Sequence, residues 1–194
     1  MDTTNKIKVM DFNELISEKL GLIFQKHHLI IIEQSINHMK LKSDKVVILF
    51  NYNEKEKSQN LYVGKKDDLL YAVDEYVLKN AFNSDLKINN VTPDTFAKNL
   101  CTFFNGRGKP LIAGNKYALS ALEKYVYKEG EIYTMQLLVS QKLDAATKAW
   151  EERNYKDFVN FIDQIDKRKL APSYKIRYKM AINKLNSSKK NKNI

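Results

Sequence analysis

The chain has 194 residues, of which 43% are hydrophobic, and a formal net charge of +10. This length and apolar content suffice for one domain, or a domain with a small appendage, and exclude a large multidomain enzyme. A mean hydropathy of −0.50 and the lack of a long apolar run argue against a membrane-spanning protein. The first ten residues lack the apolar region of a secretory signal, so we expect a cytoplasmic protein without a membrane partner.

The positive charge is concentrated at the C-terminus. Residues 1–166 carry equal numbers of basic and acidic side chains, whereas residues 167–194 contain ten Lys or Arg and no Asp or Glu. Attraction of nucleic acid by the whole surface is therefore not expected, and any role of the charge belongs to this segment. The candidate contacts for a polyanion are Lys167, Arg168, Lys169, Lys175, Arg177, Lys179 and Lys184.

The N-terminal part begins with a helix pattern followed by strand patterns. Asp11 and Glu14 have the spacing of a capping box, and the apolar residues after them predict a helix over residues 12–26. The next segments are rich in Val, Ile and Leu and are separated by turn-forming residues, which predicts an antiparallel meander of about four strands. We place these strands at residues 29–33, 36–42, 45–52 and 60–64.

A second helix pattern follows the meander. Asp67 and Asp68 are predicted to cap a helix over residues 69–82, and residues 85–90 fit either a last strand or a loop. No glycine-rich turn leads from a strand into a helix in this region, which argues against a dinucleotide-binding fold. The region through residue 90 is thus predicted to be an α+β unit of helix, meander and helix.

The rest of the chain has helical periodicity. Thr92 and Pro93 form a strong start signal for a helix over residues 94–104. Further helices are predicted over 116–128, 131–153, 155–166 and 172–186. We therefore predict an α+β fold in which a helical half, residues 91–186, packs on the unit of residues 1–90, followed by a disordered basic tail at 187–194.

One helical hairpin in this half has a recognisable pattern. Small and aromatic residues around the Asn154-Tyr155 turn, including Ala146, Ala149, Trp150 and Phe158, resemble a tetratricopeptide-like hairpin. A peptide-binding array needs about three stacked repeats, and only one is present. We therefore interpret the hairpin as part of the fold rather than as a binding array.

Few residues have the spacing of a catalytic or metal site. The neighbouring His27 and His28 cannot easily share a metal ion on a helix or a strand, and His38 stands apart. Cys101, the only cysteine, lies among aromatic residues in a predicted helix, where a thiol is a core residue, and it excludes an internal disulfide. We expect no metal, no cofactor and no enzymatic activity.

The loop Gly106-Arg107-Gly108-Lys109 is a candidate anion site. Two glycines and two cations in one short loop can form a nest of backbone N–H groups. The loop lacks the Gly-Lys-Ser/Thr ending of a phosphate-binding P-loop. A flexible connection between two helices is the alternative interpretation.

One functional hypothesis is nonspecific nucleic-acid binding through the C-terminal helix and tail. On a helix from Ser173, the apolar residues form one stripe with cations on both flanks. The cations are mostly Lys rather than base-reading Arg, and no aromatic residue is left for stacking, so binding would lack sequence specificity. A basic end that is merely solvated is the alternative.

The other hypothesis is a protein-binding module. A helix ends near Leu20-Gly21-Leu22, the turn Lys42-Ser43-Asp44-Lys45 enters an apolar strand, and the return strand Leu61–Gly64 leads into Leu70–Tyr76. Over residues 12–82 this arrangement resembles small bacterial immunity proteins that neutralise polymorphic or contact-dependent toxins. The resemblance implies a non-enzymatic inhibitor that occludes a cognate toxin. Immunity proteins that face basic nucleases are usually acidic, whereas residues 1–166 are neutral, so the toxin need not be a nuclease.

Overall fold

The computed structural model describes residues 11–190, and it describes side-chain exposure as far as residue 187. The chain divides into two compact units between Glu129 and Gly130. The first unit contains helices and a β-sheet, and the described part of the second is helical. The predicted α+β class is confirmed, but the division does not fall at the predicted boundary after residue 90.

The first unit consists of helices α1 to α4, five strands and the first part of helix α5. In chain order these elements are α1 (Phe12–Lys26), β1 (Ile30–Ser35), β2 (His38–Lys42), β3 (Val46–Asn53), β4 (Ser58–Lys65), β5 (Tyr71–Val73), α2 (Glu75–Phe82), α3 (Pro93–Asn105), α4 (Lys109–Ile112) and α5 (Lys116–Glu151). The second unit contains the rest of α5. It continues with α6 (Tyr155–Asp163), a 3-10 turn (Lys167–Lys169) and α7 (Pro172–Lys190).

The strands form one antiparallel sheet in the order β1-β2-β3-β4-β5, so the predicted meander is confirmed with one strand more than expected. The additional strand, β5, pairs with β4 through Leu61 and Val73. The predicted helix over 69–82 is therefore too long at its start. It begins at Glu75 because the side chain of Asp74 accepts a hydrogen bond from the N–H of Val77 at 2.8 Å.

One face of the sheet packs into the core of the first unit. Along β2, Met39 and Leu41 are fully buried, while the alternate residues are half-exposed on the opposite face. Phe96 and Leu100 of α3 belong to the same core, as does Leu122 of α5. These contacts explain why the segment after residue 90 folds with the first unit.

Two predicted helix ends differ from the structure. The helices predicted over 116–128 and 131–153 are one helix, α5, which continues through Gly130. The last helix extends to Lys190, so the first residues of the predicted disordered tail are helical, and residues 191–194 lie outside the described part of the chain. The segment 85–90, for which strand and loop were both open, forms no strand.

The core of the second unit is small. Trp150 at the end of α5 contacts Tyr155 and Phe158 of α6, with ring centroids 5.6 and 5.2 Å apart, so the predicted helical hairpin is present. Phe158 and Ala181 of α7 are fully buried there. None of the helices described in either unit is long and apolar enough to cross a membrane.

Candidate functional site

Strand β1 is an exposed apolar edge of the sheet. All six of its residues are exposed, and Ile30, Ile31 and Ile32 have exposed fractions of 66%, 48% and 48%. Within the described residues β1 pairs only with β2, so its other side presents backbone N–H and C=O groups without a neighbouring strand. Natural proteins usually protect such an edge with charged residues or proline, because it is a template for pairing with another chain. The three consecutive isoleucines of β1 offer no such protection.

Contacts with α1 and with β2 hold β1 in position on the sheet. Asn13 of α1 is buried, and its Nδ2 donates to the backbone carbonyls of Ser35 and Ile36, the latter at 3.3 Å. Glu33 lies 3.2 Å from Nε2 of His38 and 3.9 Å from Nζ of Lys40, the outward residues of β2. These contacts hold the strand while its outer edge stays open.

The pairing of β1 contains one irregularity. Ile31 lies opposite Leu41 and Glu33 lies opposite Lys40, so Ile32 is an extra residue with no partner on β2. This is a β-bulge, which bends the strand and increases its twist.

The opposite edge of the sheet, β5, is much better protected. It has only three residues, and the chain leaves it directly for the capped helix α2. The hydroxyl of Tyr71 donates to Oε1 of Glu123 on α5 at 3.1 Å, and the rings of Tyr71 and Tyr127 are 6.0 Å apart. The two edges therefore differ in length and in covering, and β1 is the one available for an added strand.

At least four of the seven predicted polyanion contacts are engaged within the second unit, including Lys175, whose Nζ donates to the backbone carbonyl of Arg168 at 3.3 Å. Nζ of Lys167 lies 2.7 Å from Asp163, and Arg168 pairs with Asp166 through two hydrogen bonds of 3.0 and 2.9 Å. The guanidinium of Arg177 lies 5.6 Å from the ring of Trp150. Lys169, Lys175, Lys179 and Lys184 are exposed.

The apolar stripe predicted for the last helix is used in packing. Ala181 is fully buried, and Tyr174 and Tyr178 are half-buried. The hydroxyl of Tyr178 donates to Asp163 at 2.6 Å and lies 2.9 Å from Nζ of Lys167. The hydrogen bonds that Asp163 accepts from Lys167 and from Tyr178 lower its pKa below the ordinary value. The basic helix is thus a structural part of the second unit.

The predicted nest at residues 106–109 has little free N–H capacity. The N–H of Gly106 donates to Thr102 and Phe103, that of Gly108 donates to Phe103, and that of Lys109 donates to Gly106. Gly108 is buried against the ring of Phe103, which leaves no room for a side chain there. An anion bound by these N–H groups would have to break three sets of backbone hydrogen bonds, so the structure favours the connecting-loop interpretation.

The structure shows the surroundings of Cys101 and His27, two of the titratable residues singled out in the sequence. Cys101 is half-buried, and its sulfur lies 3.6 Å from Nδ2 of Asn105. Burial lowers the pKa of His27, with the nearby charges of Lys26 and Lys109 acting in the same direction. Among residues 11–190, no three His, Cys, Asp or Glu side chains lie where they could hold a metal ion together.

The exposure of β1 is the feature that the sequence did not reveal. A strand was predicted over 29–33, but a continuous apolar run is more typical of a buried strand. The one local signal was the Glu-Gln-Ser that follows the three isoleucines, which favours an edge over a central position.

Comparison with protein-family models, with curated proteins and with solved structures gave no match to this chain. The function therefore has to be inferred from the residues and their geometry.

Proposed function

We propose that this chain is a non-enzymatic protein-binding module, an immunity-type inhibitor that binds a cognate bacterial toxin in the cytoplasm and blocks it. The observation that carries the proposal is the open edge of β1, with Ile30, Ile31 and Ile32 exposed. An extended segment of the partner adds to this edge as a sixth strand. Main-chain hydrogen bonds supply affinity, and contacts with the isoleucines supply specificity.

Two further features support a role in binding. The order of helix, meander and helix over residues 12–82, on which the resemblance to immunity proteins rests, is present as α1, the sheet and α2. Among residues 11–190 no three His, Cys, Asp or Glu side chains lie where they could hold a metal ion together, and an inhibitor that acts by occlusion requires no such group.

The test first captures a partner protein and then measures the purified partner together with the chain. The tagged chain is used to capture a partner from its host, the captured protein is purified, and both its toxicity in a test cell and its affinity for the chain are measured. We expect co-expression of the chain to abolish toxicity. A captured protein without toxicity, or toxicity that persists with the chain present, would contradict the proposal.

The edge itself is tested by charge substitution. The double variant Ile30→Lys and Ile32→Lys should weaken binding about tenfold or more, since it places charges in an apolar contact. Leu22→Lys is the control for an added lysine at an exposed apolar position, because Leu22 is 83% exposed on α1 and lies outside β1. Circular dichroism is used to check that both variants are folded. Equal affinities of the double variant and the control would show that β1 is not the contact.

Nucleic-acid binding is the second candidate, supported by the exposure of Lys169, Lys175 and Lys179. Deleting residues 167–194 is not a clean test, because Leu170 and Ala181 belong to the second core. The triple variant Lys169→Glu, Lys175→Glu and Lys179→Glu leaves that core intact. If the chain binds labelled DNA or RNA and the triple variant does not, the second candidate replaces the first.

A further inference from the structure

Basic side chains converge where β1 begins. Two adjoining clefts of the first unit share His28, Ser43 and Asp44. The remaining residues of the first cleft are Lys26, His27, Lys45 and Ala113, and those of the second are Ile30, Lys42 and Lys66. Side chains from the end of α1, the turn between β2 and β3, and the end of β4 therefore meet next to the first residue of the apolar edge.

The charge in this region is positive although residues 1–166 sum to zero. Asp44 is the one acid among the residues that line the two clefts, against Lys26, Lys45 and Lys66; the fourth lysine of the lining, Lys42, is bound to Asp67 at 2.9 Å. We call Lys26, Lys45 and Lys66 the basic cluster. Its members come from three distant parts of the chain.

One member of the basic cluster is placed by a close backbone approach. Gly114, at the end of α4, has a φ of +68°, and a Cβ at this position would collide with the Cβ of Lys45. Only glycine combines this left-handed conformation with the short distance. The first cleft is thus formed by packing rather than by chance proximity of surface lysines.

We infer that β1 and the basic cluster form one docking surface, and that its partner is an acidic polypeptide segment. The inference rests on the proposed function and specifies the partner's chemistry. Apolar residues of an extended segment lie against Ile30–Ile32, and Asp or Glu residues next to them enter the clefts beside Ile30. Because a strand advances about 3.3 Å per residue, the acidic residues lie within a few positions of the apolar ones.

Charge complementarity favours an acidic polypeptide segment over other occupants of this surface. Opposite charges at the ends of an interface fix the register of the added strand and raise the association rate. A second copy of the chain does not offer this complementarity, since its own β1 also starts beside the basic cluster. A free phosphate matches the charge but makes no use of the apolar edge.

The experiment uses model peptides and the full chain. A labelled peptide with alternating Val and Thr followed by four Glu is compared with the same peptide ending in four Lys, and with a peptide of Glu alone. Fluorescence anisotropy measures their affinities. We expect the Val-Thr-Glu peptide to bind most tightly, with an affinity that falls as salt rises. Equal binding of the Glu-ended and Lys-ended peptides, or displacement by inorganic phosphate, would overturn the inference.

Charge reversal locates the binding. The double variant Lys26→Glu and Lys66→Glu should lower the affinity for the Val-Thr-Glu peptide about tenfold or more, in line with the cost of a like-charge contact. The matched control is Lys55→Glu with Lys124→Glu, which changes the net charge equally at exposed positions outside the clefts. An equal loss in the control would overturn the inference, because it would show a response to net charge only.

The outcome for this inference is separable from that for the proposed function. If the toxin captured by the chain loses affinity for the Ile30→Lys and Ile32→Lys variant but not for the Lys26→Glu and Lys66→Glu variant, the edge is used and the acidic partner is refuted. If the captured protein is not toxic, or its toxicity persists with the chain present, while the Val-Thr-Glu peptide still uses both regions, the docking surface stands and the proposed function is wrong.

Discussion

The two units of the chain are stabilised in different ways. The first unit buries large aromatic and branched side chains from helices and sheet, among them Phe50, Phe96 and Phe103. The described part of the second has a core of seven buried residues, three of which are alanines. It adds half-exposed contacts between α6 and the residues after it, such as Asp163 with Lys167 and Tyr178. A small core leaves more of the stability to such contacts and makes each large side chain matter more.

The comparison also bears on the exposed edge. A unit with a small core leaves apolar residues exposed when it cannot bury them, but the first unit has an extensive core. The exposure of Ile30–Ile32 is therefore not explained by a lack of burial capacity. The exposure of these isoleucines is consistent with use of the edge in binding.

The largest effect is expected from Phe158→Ala in the second unit. Phe158 is fully buried against Trp150, and removing a buried Phe costs about 3–5 kcal/mol. With so few other buried side chains, we expect the second unit to lose its protection against hydrogen exchange while the first unit keeps it. Ile176→Ala, at a side chain that is 61% exposed, is the control and should change little. Retained protection of α6 in the Phe158 variant would show that the second core is stronger than described.

A smaller effect is expected from Gly64→Ala in the first unit. A Cβ at Gly64 would collide with the backbone carbonyl oxygen of Leu69, so the loop has to shift, at a cost of about 1–3 kcal/mol. Gly21→Ala is the control: nothing lies within 4 Å of its added Cβ, and alanine in a helix should stabilise by about 0.5–1 kcal/mol. Urea unfolding measures both, and a destabilised Gly21 variant would contradict the packing described for α1.

In each unit, one carboxyl should make the stability depend on pH, and the sign of this dependence should be opposite in the two units. In the first unit, burial and the neighbouring Asp74 raise the pKa of Glu129 above 4.5. The folded unit therefore holds this proton more tightly, and the associated stability is lost as the pH rises through the folded pKa. Glu129→Gln should raise the urea midpoint at pH 7, with a smaller gain near pH 4. A gain that does not depend on pH would contradict this cause.

The smallest effect is expected at Asp163 in the second unit. Its pKa is lowered by hydrogen bonds from Lys167 and Tyr178, so its stabilising contribution is present above pH 3.8 and is lost as the pH falls through the folded pKa. Asp163→Asn should weaken the second unit at pH 7 and have no effect in strong acid. Asp144→Asn, at an exposed position of α5, changes the charge equally and is the control. Equal effects of the two variants would assign the change to net charge.

Helix ends with local signals were predictable, and pairings between distant residues were not. α1 begins after Asp11 as predicted, because its side chain accepts the N–H of Glu14 at 2.8 Å. β5 was missed because Tyr71–Val73 also fits a helical stripe, and only pairing with β4 selects the strand. The interruption predicted near Gly130 is absent, since one glycine costs a helix only about 1 kcal/mol.

The same distinction holds for the candidate site. The sequence predicted a strand at the three isoleucines, but whether a strand lies at an edge depends on the order of pairing. The basic cluster was invisible in the charge count, because each of its lysines lies in a neutral stretch of sequence. Only the fold brings them to the start of β1.

The bulge at Ile32 has a consequence for solubility. A flat, regular edge of isoleucines would favour stacking of many chains into fibrils, in which each added strand exposes a new edge like the last. With Ile32 left unpaired, the backbone of β1 bends and twists, so its edge does not match that of a second copy over its whole length. We expect the edge to accept one short guest strand and to be a poor seed for aggregation.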